Sequence, residues 1–133
     1  MASKNRILLG YLQSSIFHFH RNIFMSKKLY LTRKKSSKIS LEHPDQAKYI
    51  EEHNFQVLLN NTIASCSYKE DGVKNFIIHF DNEYLIYGIS VNNFRNELTT
   101  IFKPSVRQLI KCQTTMTFFN NNAKKNFEDY IRK

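Results

Sequence analysis

The chain has 133 residues, a formal net charge of +9, two cysteines, eleven Phe and seven Tyr. Its length leaves room for one domain plus an extension, and its aromatic content argues against wholesale disorder. Two cysteines, Cys66 and Cys112, are too few for a disulfide scaffold, and they lack the C-x-x-C spacing of a zinc or redox motif, so we predict buried thiols. No run of about 20 apolar residues is present to span a membrane.

The positive charge lies at one end of the chain. Residues 1–41 contain nine of the 20 Lys and Arg and none of the 11 Asp and Glu. Residues 42–133 contain the other 11 cations and all 11 acids, so this part is formally neutral. We therefore divide the chain into a basic, acid-free N-terminal extension, residues 1–41, and a single α+β domain, residues 42–133.

The extension begins with an apolar pattern at helical spacing. Six residues form this pattern: Ile7, Leu8, Tyr11, Leu12, Ile16 and Phe19. Their spacing predicts an amphipathic helix over 7–19 with a polar, basic opposite face. Several serines and the absence of acid are typical of a mitochondrial transit peptide, and equally of an arm that binds nucleic acid. Both interpretations stay open.

Residues 26–38 carry six of the nine cations and a predicted short strand at Leu29–Leu31. Each phosphate neutralised by Lys or Arg releases counterions and so favours binding. Four aromatic residues interleaved with the cations of the extension could stack on unpaired bases: Phe17, Phe19, Phe24 and Tyr30. Seven cations of the extension are the predicted RNA contacts: Arg21, Lys27, Lys28, Arg33, Lys34, Lys35 and Lys38.

The first half of the domain shows a break, a short helix and a hairpin. His43-Pro44 ends the preceding segment, and Asp45 can cap a helix over 45–53. Residues 55–68 predict one or two strands before a turn at Asp71-Gly72. The runs FIIHF and YLIYGI, joined by Asp81-Asn82-Glu83, predict a hairpin over 76–89.

The second half predicts a helix over 91–102. Ser90 stands at an N-cap position, and Pro104 stops the pattern. Five apolar residues recur at helical spacing between them: Val91, Phe94, Leu98, Ile101 and Phe102. Two strands, 106–111 and 116–119, and a last helix capped by Asn120–Asn122 complete an α+β fold with a small mixed sheet.

Catalytic patterns are sparse. His79, Asp81 and Glu83 alternate, so one strand face could gather them as a metal site, the basis of an alternative metal-dependent nuclease. A hairpin turn is the more economical interpretation of the two acids. No nucleophile elbow, phosphate loop or H-E-x-x-H motif is present. We therefore predict no enzyme, no metal, no cofactor and no small-molecule substrate.

Residues 62–102 carry a family resemblance. These residues resemble the second half of small thioredoxin-like proteins of the mitochondrial large ribosomal subunit. The matching features are the Asp71-Gly72 turn, the hairpin, and Phe94, Glu97, Leu98 and Phe102 on the predicted helix. Those proteins share a fold with an accessory subunit of complex I. A rival alignment takes residues 84–133 as strand, helix, strand, strand, helix. In this order they are similar to a mitochondrial large-subunit protein with an initiation-factor-like fold.

Either resemblance implies a structural component of the mitochondrial large ribosomal subunit, located in the matrix. The extension would bind ribosomal RNA, and the domain would contact neighbouring mitochondrial ribosomal proteins. An accessory subunit of a mitochondrial respiratory complex is the alternative, with segment 7–19 lying against lipid or a membrane subunit.

Overall fold

A computed structural model describes residues 6–14, 26–51, 54–67, 73–92 and 94–132. In these ranges the chain forms seven strands and five helices. Their bounds are β1 Arg6–Tyr11, β2 Lys28–Thr32, α1 Arg33–Glu42, α2 Pro44–Glu51, α3 Phe55–Asn60, β3 Thr62–Cys66, β4 Lys74–Phe80, β5 Glu83–Asn92, β6 Arg95–Phe102, α4 Val106–Gln113, β7 Thr117–Phe118 and α5 Asn121–Ile131.

The strands form one mixed sheet in the order β1-β2-β6-β5-β4-β3-β7. Strands β2 and β6 are parallel, and every other neighbouring pair is antiparallel. The predicted α+β fold with a mixed sheet is therefore confirmed.

Helices cover both faces of the sheet. On the first face, α1, α2 and α3 bury a core that includes Leu29, Tyr87 and Ile101. On the second face, α4 and α5 pack over β3, β4 and β5, where Ile77 and Phe127 are fully buried. Two apolar layers on opposite sides of one sheet explain why the central strands read as nearly continuous apolar runs.

The predicted hairpin over 76–89 is confirmed as β4 and β5. Its turn has two residues, Asp81 and Asn82, with φ angles of 54° and 60°. Such left-handed pairs match the right-handed twist of hairpin strands, and Asp and Asn tolerate them. Glu83 lies outside the turn and pairs with Phe80.

The predicted helix over 91–102 is wrong, because most of this segment is strand β6. Register shifts by one residue where Gly88 pairs with Thr100 and Ile89 pairs with Leu98, which leaves Thr99 as the extra residue of a bulge. Leu98 and Ile101 therefore reach the same core, three positions apart. The bulge therefore gives the buried residues of this strand the three-residue spacing that is typical of a helix.

The N-terminal extension contributes to the sheet. The predicted strand at Leu29–Leu31 is confirmed within β2, but residues 6–11 form strand β1, not part of a helix over 7–19. Gly10 lets β1 approach α3, because an added Cβ would lie 2.7 Å from Gln56 Oε1. The Gln56 amide also accepts from the N–H of Tyr11 and donates to its carbonyl. Residues 15–25 lie outside the described residues.

Helices form in the first part of the region 55–68, where one or two strands were predicted, and over the predicted strand 106–111, and both helices begin with a side-chain cap. Asn54 accepts from the N–H of Gln56 at the start of α3, and the strand predicted in this region forms only over β3. Ser105 and Gln108 form a reciprocal capping box at the start of α4, where a strand over 106–111 was predicted. The other predictions, a helix following His43, a strand within 116–119 and a last helix capped by Asn120, are confirmed.

Candidate nucleic-acid interface

The predicted RNA contacts are mostly exposed. Five of the seven have exposed side chains, and Lys35 is half-buried. The exposed ones are Lys27, Lys28, Arg33, Lys34 and Lys38. Arg21 lies outside the described residues.

Strand β2 separates these cations into two groups. Lys27 and Lys28 lie at its first end, whereas Arg33, Lys34 and Lys38 follow its last residue. Five residues of strand place Lys28 and Arg33 about 16 Å apart. We call the second set the α1 cluster. The two groups can contact different phosphates, but not the same one.

The α1 cluster opposes the electrostatics of its own helix. Residues 33–35, which form the first turn of α1, are all cations, and no acid is present there. The last turn has no cation and ends at Glu42. Because the N-terminus of a helix is its positive end, each such charge costs about 0.3–1 kcal/mol. Lys34 and Lys38, four residues apart on the exposed surface, add a smaller repulsion.

Other interactions hold α1 in place despite these charges. The Thr32 hydroxyl accepts a hydrogen bond from the N–H of Lys35 at 3.1 Å, which caps the helix. Ile39 is buried in the core of the first face. Helix stability in proteins comes mainly from packing of this kind. The result is a helix N-terminus, which attracts anions, surrounded by exposed cations.

Arg6 lies beside this cluster and was not among the predicted RNA contacts. It pairs with Thr32 across β1 and β2, and its guanidinium lies 5.0 Å from the centre of the Tyr30 ring. Its sequence neighbours indicated a helix, so no local signal placed it near Arg33. Only the pairing of β1 with β2 brings the two arginines to the same end of the sheet.

The first group lies beside the turn between β5 and β6. Leu29 pairs with Asn96 in the parallel ladder, and the Asn96 amide donates to the carbonyl of Ser26 at 2.7 Å. Phe94, in this turn, is 78% exposed and has a φ angle of 62°. An exposed aromatic ring in a left-handed conformation is uncommon for a bulky residue. The incorrect helix prediction had placed Phe94 among the apolar residues at helical spacing.

Comparison of the chain with protein-family models, curated proteins and solved structures finds no match. Function is therefore inferred from the residues and their geometry. Among the described residues, no helix is long and apolar enough to cross a membrane.

The candidate metal site does not assemble. His79 stacks on Tyr84 on the second face of the sheet, with ring centroids 4.3 Å apart. Glu83 lies on the first face and accepts from Lys103 Nζ at 2.9 Å. Asp81 occupies the exposed turn between them. Within the described part of the chain, no three His, Cys, Asp or Glu side chains lie close enough to hold a metal ion.

The two cysteines are buried and adjacent, which confirms the predicted burial. Cys66 ends β3 and Cys112 lies in α4, and the thiol of one hydrogen bonds to the sulfur of the other. This hydrogen bond and burial raise the pKa of Cys66. The same hydrogen bond lowers the pKa of Cys112. Their neighbours Ser67 and Thr115 are also hydrogen-bonded, which fixes α4 against β3.

Proposed function

We propose that this protein is a non-enzymatic, RNA-binding structural component of a ribonucleoprotein, namely the mitochondrial large ribosomal subunit. The observation that carries the RNA-binding part is the start of α1. Three consecutive cations there oppose the helix dipole, and a bound phosphate would turn this repulsion into attraction. A local conflict with stability is typical of a functional site.

Binding through these residues would be electrostatic and largely independent of sequence. Lys and Arg contacts to phosphates position a protein on RNA without reading its bases. The α1 cluster and the Lys27–Lys28 pair would contact separate phosphates of one RNA segment, since about 16 Å separates their nearest members. This mode suits a structural component that must hold RNA in place without chemistry.

The ribosomal and mitochondrial setting is supported by the composition of the extension and by the family resemblance. Residues 1–41 are acid-free, and hairpin 76–89 is one of the elements that carried the resemblance. The helix over 91–102, on which the resemblance also drew, is a strand. The rival alignment over 84–133 also differs, since the observed order is strand, strand, helix, strand, helix.

The RNA-binding proposal is tested by a triple variant, Arg33→Gln, Lys34→Gln and Lys38→Gln. Fluorescence anisotropy with a labelled single-stranded oligouridine measures its affinity. We expect about tenfold or greater weakening relative to wild type. The matched control removes the same charge from exposed positions elsewhere, by Lys111→Gln, Lys124→Gln and Lys125→Gln. Equal weakening in both triples would contradict a specific role for the α1 cluster.

Two further experiments, one with the purified protein and RNA and one with a mitochondrial lysate, test the non-enzymatic assignment and the ribosomal setting. Gel electrophoresis of the RNA after incubation with Mg²⁺ should show intact oligonucleotide, whereas cleavage would overturn the non-enzymatic assignment. In sedimentation of a mitochondrial lysate, we expect the protein with the large ribosomal subunit. Recovery with a respiratory complex in the membrane fraction would contradict the ribosomal setting.

A further inference from the structure

A cavity of about 520 Å³ lies on the second face, between the β4–β5 turn and α5. Its volume falls within the range of about 300–1,000 Å³ common to small-molecule sites. Aromatic and polar side chains line it: His79, Asn82, Tyr84, Asn126, Asp129 and Tyr130. We call it the His79 cavity.

One wall of the His79 cavity is a fixed aromatic stack. The rings of His79 and Tyr84 lie 6° from parallel. The ring centroid of Tyr130 lies 4.8 Å from that of Tyr84, and Phe127 contacts Tyr84 edge-on with its centroid 5.4 Å away. Burial lowers the pKa of His79, which favours the neutral form of its ring. Rigid, uncharged rings of this kind are the surfaces on which unpaired bases stack.

The polar groups of the cavity have unused hydrogen-bonding capacity. Tyr84 is 2% exposed, yet its hydroxyl makes no hydrogen bond to any described residue. The same holds, within the described ranges, for the side chains of Asn82, Asn126, Asp129 and Tyr130. The Tyr84 oxygen is not among the fully buried, unpartnered atoms of the described residues, so it stays accessible from the cavity that Tyr84 lines. The cavity therefore offers both an aromatic wall and polar side chains that are available to an occupant.

The types of polar group limit the class of occupant. An ionised Asp129 only accepts hydrogen bonds, so its partner must donate, and two adjacent N–H groups satisfy both carboxylate oxygens. The amides of Asn82 and Asn126 also donate, so the partner needs acceptors as well. Among the four RNA bases, only guanine offers two adjacent donors, N1–H and N2–H₂, together with the acceptors O6 and N7. An arginine side chain supplies the donors but no acceptor.

We propose that the His79 cavity binds one unpaired guanine base of RNA, stacked on His79 and hydrogen-bonded to Asp129. This inference rests on the proposed RNA-binding function and adds base selectivity to it. Val106 lines the cavity, and the next residue, Arg107, is exposed at the start of α4. A contact from Arg107 to the phosphate of the bound nucleotide would compensate for the charge of Asp129.

The test compares two labelled oligonucleotides on the full chain, an octamer of uridine and the same octamer with one central guanosine. A good bidentate base contact is worth about tenfold or more in affinity, so we expect that preference for the guanosine octamer. In Asp129→Asn, the preference should fall below about twofold, because the amide replaces one acceptor by a donor. Asp129 is exposed on α5, so folding of this variant should be unaffected.

The matched control is Glu128→Gln, which removes the same charge from the same helix but lines a different cavity. It should keep the full preference for guanosine. If wild type binds both octamers equally, or if the control loses the preference as Asp129→Asn does, the guanine site is overturned. If neither octamer binds, the RNA-binding proposal fails as well. Binding of N-acetylarginine amide in place of guanosine monophosphate would assign the cavity to a protein partner and overturn the inference.

Discussion

The hydroxyl of Thr32 accepts a hydrogen bond from the backbone N–H of Lys35, 3.1 Å away, at the start of a helix that opens with three cations. The cap satisfies one of the first N–H groups of α1, while the charges around it repel the positive end of the helix. The sequence thus stabilises the helix by its cap and destabilises it by its charge. An anionic partner at this end of α1 would remove the conflict.

Loss of the cap should destabilise the protein without changing its charge. We expect Thr32→Ala to lower the free energy of unfolding by about 1 kcal/mol, the usual effect of an N-cap deletion. Thr32→Ser retains the hydroxyl and should stay close to wild type. Urea denaturation followed by circular dichroism measures both, and an equal loss in the two variants would show that the methyl group matters rather than the cap.

Removal of a cation from the start of α1 should stabilise the protein. We expect Lys34→Gln to raise the free energy of unfolding by about 0.5 kcal/mol at low salt, because its charge opposes the helix dipole. Lys111→Gln provides a control of opposite sign, since Lys111 lies in the last turn of α4, where the dipole favours a cation. Urea midpoints that shift in the same direction would contradict the dipole argument.

Phe94 has a strained backbone conformation and also lies in the turn beside the Lys27–Lys28 pair of the proposed interface. Its φ angle of 62° is strained for a bulky residue, and glycine or asparagine relieves such strain. We expect Phe94→Gly and Phe94→Asn to retain or raise the melting temperature but to weaken binding to oligouridine about fivefold, through the lost stacking surface. Unchanged affinity in both variants would exclude Phe94 from the interface.

Stability above pH 10 should depend on Tyr87. Its hydroxyl is fully buried and lies 2.8 Å from that of Thr62, and burial raises the pKa of the phenol above its ordinary value of 10.0. The unfolded chain therefore loses this proton first as pH rises. The contribution of the protonated Tyr87 phenol to the free energy of unfolding is therefore complete below pH 10. Above pH 10 it is lost, by up to about 1.4 kcal/mol per pH unit.

Tyr87→Phe removes this titration and so should flatten the decline of unfolding free energy between pH 10 and 12. The same variant loses one buried hydrogen bond, about 1 kcal/mol at pH 7. Tyr11→Phe, at a half-exposed ring, should leave both quantities unchanged. A decline as steep in Tyr87→Phe as in wild type would assign the alkaline transition to other groups, such as Cys66, whose pKa is also raised.

Local signals predicted the elements that depend on local chemistry. Hairpin 76–89 follows from two β-rich runs around a turn that Asp81 and Asn82 can adopt. The last helix follows from the cap at Asn120. The strand β6 was missed because the bulge at Thr99 spaces Leu98 and Ile101 as a helix would.

The interface depends on pairings between distant segments, which local patterns do not encode. Arg6 lies at the same end of the sheet as the α1 cluster only because β1 pairs with β2. Phe94 lies at the same end as Lys28 only because β2 pairs with β6 in parallel. His79 and Asp81 are two residues apart, so the alternation of a strand predicted them on one face. The strand ends before Asp81, however, because the turn begins there. A period-two pattern gathers side chains on one face only while the strand continues.

The salt dependence of oligouridine binding tests the central claim most directly. If the five exposed cations each contact a phosphate, the logarithm of the association constant should fall with the logarithm of salt concentration with a slope of about −3.5. The triple variant of Arg33, Lys34 and Lys38 should reduce the magnitude of this slope by about 2, because three contacts are lost. A wild-type slope near zero, or one that the triple variant leaves unchanged, would contradict phosphate binding by the α1 cluster.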